Sequence, residues 1–266
     1  MSKRRPRTSA PRPQIEGAGK VAIAYVHGAE VAHSWHLSMQ SLVGYDIAHN
    51  QRVVGGGWFA TKYGTGGIVQ ARNDTVTAYL TQCTAEWLLF IDTDMGFSAD
   101  SVDRLMATAD KDTAPIVGGL CFGVREIEGD GIGGYLIQPA PTLYDWATLP
   151  NGQQGFHARV EYEKDTVTQV AGTGAAFVLI HRTVFERIEA EHGRSWFSPV
   201  FNKSLNMTIG EDLSFCSRAG ALGIPIYVDT GVKISHLKLG WFDERLFERM
   251  EMIGVPVQDP EVTIVP

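Results

Sequence analysis

Trp87-Leu88-Leu89-Phe90-Ile91-Asp92-Thr93-Asp94 is the stretch on which the fold turns. Five apolar residues in unbroken succession suit a strand buried on both faces, as in a parallel sheet covered by helices; a half-exposed strand would alternate. Two carboxylates follow at the strand's carboxyl end, where open α/β sheets bind ligands. Side chains two apart in an extended segment point to the same side, so Asp92 and Asp94 can share one divalent cation, or divide a metal and a ribose between them. The ordinary alternative is a solvated strand end at Asp92 and a helix-entry turn at Asp94.

Upstream, Ala71, Thr75, Ala78, Tyr79 and Gln82 recur at helical spacing and predict a helix over Val69 to Gln82. Before it, Gly55, Gly56, Gly57, Gly64, Gly66 and Gly67 are too dense for regular structure and predict a mobile loop, preceded by a second strand within Asp46 to Val54. Val31, Trp35, Ser38, Met39 and Leu42 predict a helix covering one sheet face, and Val21 to Val26, between Gly19 and Gly28, a buried first strand. Downstream, Ser98 is the expected N-cap of a helix with Asp100 in its first turn and Val102, Leu105 and Met106 facing inward. Pro115 to Leu120 reads as a strand. From Gly129 to Gln169 turn residues such as Pro139, Pro141, Pro150 and Gly152 predict antiparallel hairpins or an insertion. Ala175 to Ile180 is a predicted strand, Thr183 to Ile188 a helix, and a further helix runs from near Gly210 to near Gly220. Ile226 to Val228 and Val232 to Ile234 are two short final strands, and Val255 to Pro266 reads as extended.

A chain of 266 residues that is 44% hydrophobic can bury a full core, and no apolar run approaches the roughly 18 residues of a membrane span. The start lacks the apolar stretch of a signal peptide, which places the protein in the cytoplasm. Cys83, Cys121 and Cys216 are odd in number and far apart, and predict buried reduced thiols rather than a zinc or redox centre. A net charge of −7 argues against nucleic-acid binding, which needs a cationic face. The exception is the basic, proline-rich opening with Lys3, Arg4, Arg5, Arg7 and Arg12, which has too few apolar residues to order itself.

Ala71-Arg72-Asn73, the acidic turn, Gly172-Thr173-Gly174-Ala175-Ala176-Phe177, Gly210-Glu211-Asp212-Leu213-Ser214-Phe215-Cys216-Ser217-Arg218 and Ile234-Ser235-His236 follow one another over most of residues 21–240. In that order they resemble glycosyltransferases of the GT-A fold, especially family 2, of the small bacterial or phage type. The resemblance implies an α/β, Rossmann-like nucleotide-diphospho-sugar transferase fold with a mixed, mainly parallel central sheet flanked by helices. It implies a disordered tail over 1–18, one catalytic domain over 19–245 (donor half about 19–125, acceptor half about 126–245) and a C-terminal extension over 246–266.

In such enzymes the Asp-x-Asp holds manganese or magnesium against the donor diphosphate. The resemblance therefore assigns Asp94, Asp92 and the late His236 to a metal, with Mn2+ preferred over Mg2+ because imidazole suits it better. Asp212 matches the general base of inverting relatives, which takes the proton of the acceptor hydroxyl, and Glu211 would position the acceptor or hold the loop. An acidic pair at a helix start is also explained by the helix dipole alone. Tyr25, Val26, Arg72, Asp92, Thr93, Asp94, Gly174 and Lys238 are the expected donor-binding residues, although an exposed helical position is the default for Arg72. His33 and His36, three apart and without a third ligand, are left out of any metal site.

The expected activity is transfer of a sugar, hexosyltransferase-like, from a nucleotide-sugar to an acceptor hydroxyl on a protein, glycan or cell-surface polymer. A UDP-sugar is the favoured donor. Relatives often read the base with an acidic residue at the end of the second strand, where this chain is expected to offer Gly55 to Gly57. A phage-encoded chain would act in the host cytoplasm. The alternatives are a nucleotidyltransferase of related fold, which lacks its basic glycine-rich loop at Val26-His27-Gly28-Ala29-Glu30, and a non-catalytic sugar-nucleotide-binding protein, against which Glu211 and Asp212 argue.

Overall fold

Unbroken apolar runs become the centre of the sheet. In the computed structural model, which describes residues 19–128, 135–238, 241–242, 244, 247–248 and 263–264, β1 (Val21–His27) is followed by α1 (His33–Ala48), β2 (Trp58–Lys62), α2 (Gly67–Gln82) and β3 (Trp87–Ile91). Then come β4 (Met95–Gly96), α3 (Ser101–Thr108), β5 (Ile116–Leu120) and the hairpin of β6 (Phe122–Glu128) and β7 (Tyr135–Pro141). β8 (Leu143–Thr148), β9 (Gln154–Ala158), β10 (Val167–Val170) and β11 (Gly172–Thr173) lead into β12 (Phe177–His181) and α4 (Arg182–His192). The chain closes with β13 (Val200–Asn202), β14 (Met207–Ile209), α5 (Glu211–Ala221), β15 (Ile226–Lys233), β16 (Ser235–Leu237), β17 (Trp241–Phe242) and β18 (Thr263–Ile264).

The main sheet has seven strands in the order β10-β15-β5-β12-β3-β1-β2. β1, β2, β3, β5 and β15 run one way and β10 and β12 the other, so the sheet is mixed and mainly parallel. One face packs against α2, α4 and α5, with Ala22, Leu88, Phe90 and Ile180 meeting Tyr79, Phe185 and Phe215. The other packs against α1 and α3, with Ile23, Leu89 and Ile91 meeting Trp35, Met39 and Leu105. Since β3 is flanked by β1 and β12 and covered on both faces, all five of its residues are buried, as its composition predicts.

Several expectations are corrected. The second strand is not within Asp46 to Val54: α1 continues through Asp46, whose buried carboxylate accepts hydrogen bonds from the backbone N–H groups of Arg52, Val53 and Val54. The strand instead lies inside the expected glycine loop, at Trp58–Lys62, an edge strand with the alternating exposure of half-covered sheet. Gly56 is required by a close approach, since a Cβ there would stand 1.9 Å from the carbonyl oxygen of Val21. α3 starts at Ser101 with Asp100 as N-cap, not Ser98. The two short final strands are one, β15, whose register against β5 shifts between Asp229 and Lys233.

The three cysteines are free, with Cys121 and Cys216 buried, but Cys83 is only half-buried and its thiol donates to the Gly56 carbonyl. The expected hairpins after Gly129 appear as β7 to β9, with residues 129–134 outside the described residues. The basic tail over 1–18 and nearly all of 249–266 also lie outside them. No described helix is long and apolar enough to cross a membrane.

Candidate functional site

The carboxyl ends of β3 and β15 meet over a small auxiliary sheet. Directly after the acidic turn, β4 pairs antiparallel with β16, placing His236 opposite Met95 and Ser235 opposite Gly96, and the N–H of Leu237 donates to the Asp94 carbonyl. β17 continues this sheet beyond β16. The ladder fixes the late histidine beside the second aspartate: His236 Nε2 lies 3.2 Å from Asp94 Oδ2. The other ring nitrogen, Nδ1, is 2.8 Å from the Phe122 carbonyl oxygen, to which it can only donate, so Nε2 is the nitrogen left to face the carboxylate, donating to it when protonated and able to ligate a cation when not. Lys238 Nζ donates to the same Asp94 oxygen at 2.9 Å. Burial works against the Asp94 carboxylate, yet the hydrogen bonds and charges of His236 and Lys238 hold its pKa down at about 2.

Asp92 faces elsewhere. Both of its oxygens lie 3.1 Å from Arg72 Nη2. Burial nevertheless dominates and pushes the Asp92 carboxyl up to about 6, against the lowering effect of the guanidinium. Among the described residues no three His, Cys, Asp or Glu side chains gather as a metal cluster; Asp94 meets His236, while both Asp92 oxygens meet Arg72. Nε2 and a carboxylate oxygen 3.2 Å apart fit two ligands of a divalent cation, whose other positions would fall to water and a substrate's phosphates.

The expected exposure of Arg72 is corrected. Its side chain is 1% exposed, inside α2's apolar stripe with Val76 and Tyr79, and its guanidinium lies 5.9 Å from the Phe90 ring centre and 5.6 Å from that of Phe197. Burial opposes its charge, but the carboxylates of Asp212, Asp92 and Glu211 hold its pKa above the ordinary value. Arg72 Nη1 is 3.0 Å from Asp212 Oδ1 without hydrogen-bond alignment, and both atoms are buried with no aligned partner. Next to it, Asn73 Oδ1 accepts from the Phe197 N–H at 2.9 Å and its amide donates to Ser198 Oγ, tying α2 to the segment before β13.

Glu211 and Asp212 form the first turn of α5, where the helix dipole favours carboxylates. They line a cavity of about 220 Å³ with Thr142, Tyr144, Thr173 and Gly174. The Tyr144 hydroxyl is raised by burial first and by Asp212 second. Gly172 is where α5 comes close: a Cβ there would meet Leu213 at 2.8 Å and Phe156 at 3.0 Å, whereas Gly174 would make ordinary contacts with Thr142. Three larger cavities, of about 490, 520 and 450 Å³, contain none of these carboxylates.

Tyr25 packs edge-on against Trp35 at the carboxyl end of β1, and the Val26 side chain is buried in the sheet. Thr93 accepts from the Ala32 N–H through its carbonyl, holding the acidic turn to the entry of α1. The end of the second strand is Lys62, next to His27 of β1, so the residues there are Lys62 and Tyr63 rather than Gly55 to Gly57. Sequence reasoning missed Asn73, Thr142, Tyr144 and Phe197. The burial of Arg72 does carry a signal, since Arg72, Val76 and Tyr79 fall at i, i+4 and i+7.

No protein-family model matches the sequence, and no curated protein matches it. Among solved structures the chain is similar to A197 from STIV, at 15% identity over 82% of this chain and 86% of that one, with a TM-score of 0.48. It is also similar to GalNAc-T7, solved with UDP, GalNAc and Mn2+, at 11% identity and a TM-score of 0.50 over 82% of this chain. This chain spans 43% of that chain's length. The fold is α/β of the GT-A type.

Proposed function

We propose that this chain is a metal-dependent glycosyltransferase, similar to family 2 and inverting, that moves a sugar from a nucleotide-sugar to an acceptor hydroxyl. The observation that carries the reading is the convergence at one end of a GT-A sheet of the Asp94–His236 pair and a cavity edged by Asp212. Asp94 and His236 would hold Mn2+ (or Mg2+). Once bound, the metal supplies Lewis-acid stabilisation of the charge developing on the diphosphate leaving group.

The chain's own groups do the rest. Asp212 accepts the acceptor hydroxyl's proton as that oxygen bonds to the anomeric carbon, while the bond from that carbon to the nucleoside diphosphate breaks with its electron pair going to the phosphate oxygen. Glu211 orients the acceptor in the cavity. Lys238, beside Asp94, adds positive charge toward the diphosphate. Tyr25, Val26, Thr93 and Gly174 frame the donor, and Asp92 holds its place through Arg72. UDP, which GalNAc-T7 holds with Mn2+, is the first donor nucleotide to try, and the acceptor is a protein, a glycan or a cell-surface polymer.

The test is a thermal-shift screen against UDP-, GDP-, dTDP- and CMP-sugars, each with and without Mn2+, since a ligand bound only by the native state raises the melting temperature. The expected result is a metal-dependent shift for one nucleotide that Asp94→Ala abolishes. No shift with any of the four would sink the donor-site reading.

A further inference from the structure

Arg72 is the most deeply buried charge at the site and, among the described residues, the one that forms ion pairs with both Asp92 and Asp212. We infer that it is a positioning residue, a strut that fixes the orientation of Asp212 from the donor side of the sheet. The inference rests on the reading of Asp212 as general base.

The atoms define what the strut does. Asp212 is 29% exposed through its side chain, yet Oδ1 is buried and faces Arg72 Nη1 at 3.0 Å. Oδ2 is therefore the oxygen left for the cavity. Arg72 Nη2 meanwhile meets both oxygens of Asp92, and the ring faces of Phe90 and Phe197 enclose the guanidinium, so the rigid planar fork is held from the Asp92 side and by the rings while Nη1 stays in ion-pair contact with Asp212. Asn73, the next residue, holds Phe197 through its backbone N–H, which keeps one of those rings in place. A lysine, with a single compact ammonium on a flexible stem, cannot span the two carboxylates in this way. With 1% exposure, Arg72 touches no ligand itself; it acts through Asp212, whose carboxylate loses a defined direction without it.

Two arms test this. In the first, Arg72→Lys, Asp212→Asn and the double variant are compared in sugar transfer with the nucleotide-sugar that the thermal-shift screen selects, UDP-sugars being tried first. Arg72→Lys is expected to lower kcat about 10²-fold while donor affinity, read by calorimetry, changes less than about 3-fold, and the Lys substitution should add almost nothing in the Asp212→Asn background. Full additivity, an unchanged kcat, or a loss carried wholly by donor affinity overturns the strut.

The second arm needs no substrate. Melting of Arg72→Gln, Asp212→Asn and their combination measures the coupling directly. A non-additive cycle is expected, with Arg72→Gln alone lowering the melting temperature by roughly 10 °C because two carboxylates lose their buried counter-charge. An additive cycle says the two residues are not engaged and overturns the strut whatever the reaction proves to be. Non-additive melting together with no transfer from any donor would leave the strut standing and fail the transferase reading alone.

Discussion

Nε2 of His236 and Oδ2 of Asp94 lie 3.2 Å apart although 142 residues separate them in the chain. With Nδ1 engaged by the Phe122 carbonyl, the imidazole can neither rotate nor exchange its ring nitrogens without breaking a 2.8 Å hydrogen bond. Such a fixed ring loses little freedom on ligating a metal.

His236→Ala is accordingly expected to weaken Mn2+ binding in the presence of nucleotide by about 10- to 100-fold or more, a range typical of changes around metal-bound histidines. Titration calorimetry with Mn2+ and UDP reads this directly. Equal affinity in wild type and variant would remove His236 from the metal site.

Asp212→Asn keeps the shape of the side chain and removes the base. Turnover should fall by about 10²- to 10⁴-fold with donor KM nearly unchanged. A rate equal to wild type would assign proton removal elsewhere and favour a retaining route.

The two aspartates of the turn give opposite pH dependences. Asp92 has a folded pKa of about 6, above its unfolded value, so the stability it contributes is complete below the unfolded pKa near 4 and is lost as pH rises through 6. Asp94, held at about 2, contributes stability above the unfolded pKa that is lost as pH falls through 2. Denaturant melts of wild type and Asp92→Asn should therefore diverge between pH 4 and 7, wild type losing on the order of 2 kcal/mol relative to the variant. Parallel curves would contradict a raised Asp92.

Two glycines make a contrast in backbone cost. Gly56→Ala places a methyl against the Val21 carbonyl and should destabilise by about 3 kcal/mol or more, because the obstacle is backbone rather than a movable side chain. Gly44, inside α1 with nothing within 4 Å of its Cβ position, should gain about 0.5 to 1 kcal/mol on substitution by alanine. Chemical denaturation of the two variants checks both.

The elements legible in the sequence are those whose own composition decides them. β1, β3 and β5 are buried on both faces and read as apolar runs, and α5 carries its acidic first turn and its small, apolar inner face. β2 was hidden because an edge strand between glycines alternates weakly, and Asp46 looked like a strand start because its burial is explained only by the turn it holds. At the site, strand position pointed to the acidic turn, while His236 and Asp212 were singled out only through the family resemblance. The way Arg72 divides them was illegible: a helical arginine is ordinarily solvated, and only Phe90 and Phe197, brought together by the fold, explain its burial.

The ladder of β4 and β16 also orders events during synthesis. A nascent chain emerges amino end first, and β3 with both aspartates leaves the ribosome long before β15 and His236 exist. Until β15 inserts between β5 and β10, one edge of β5 has no neighbour, and Asp94 has no imidazole opposite it. If this pair holds the proposed cation, capture begins only after the last sheet strand has docked, and a prematurely released polypeptide is left with an open strand edge and Asp94 without its partner imidazole.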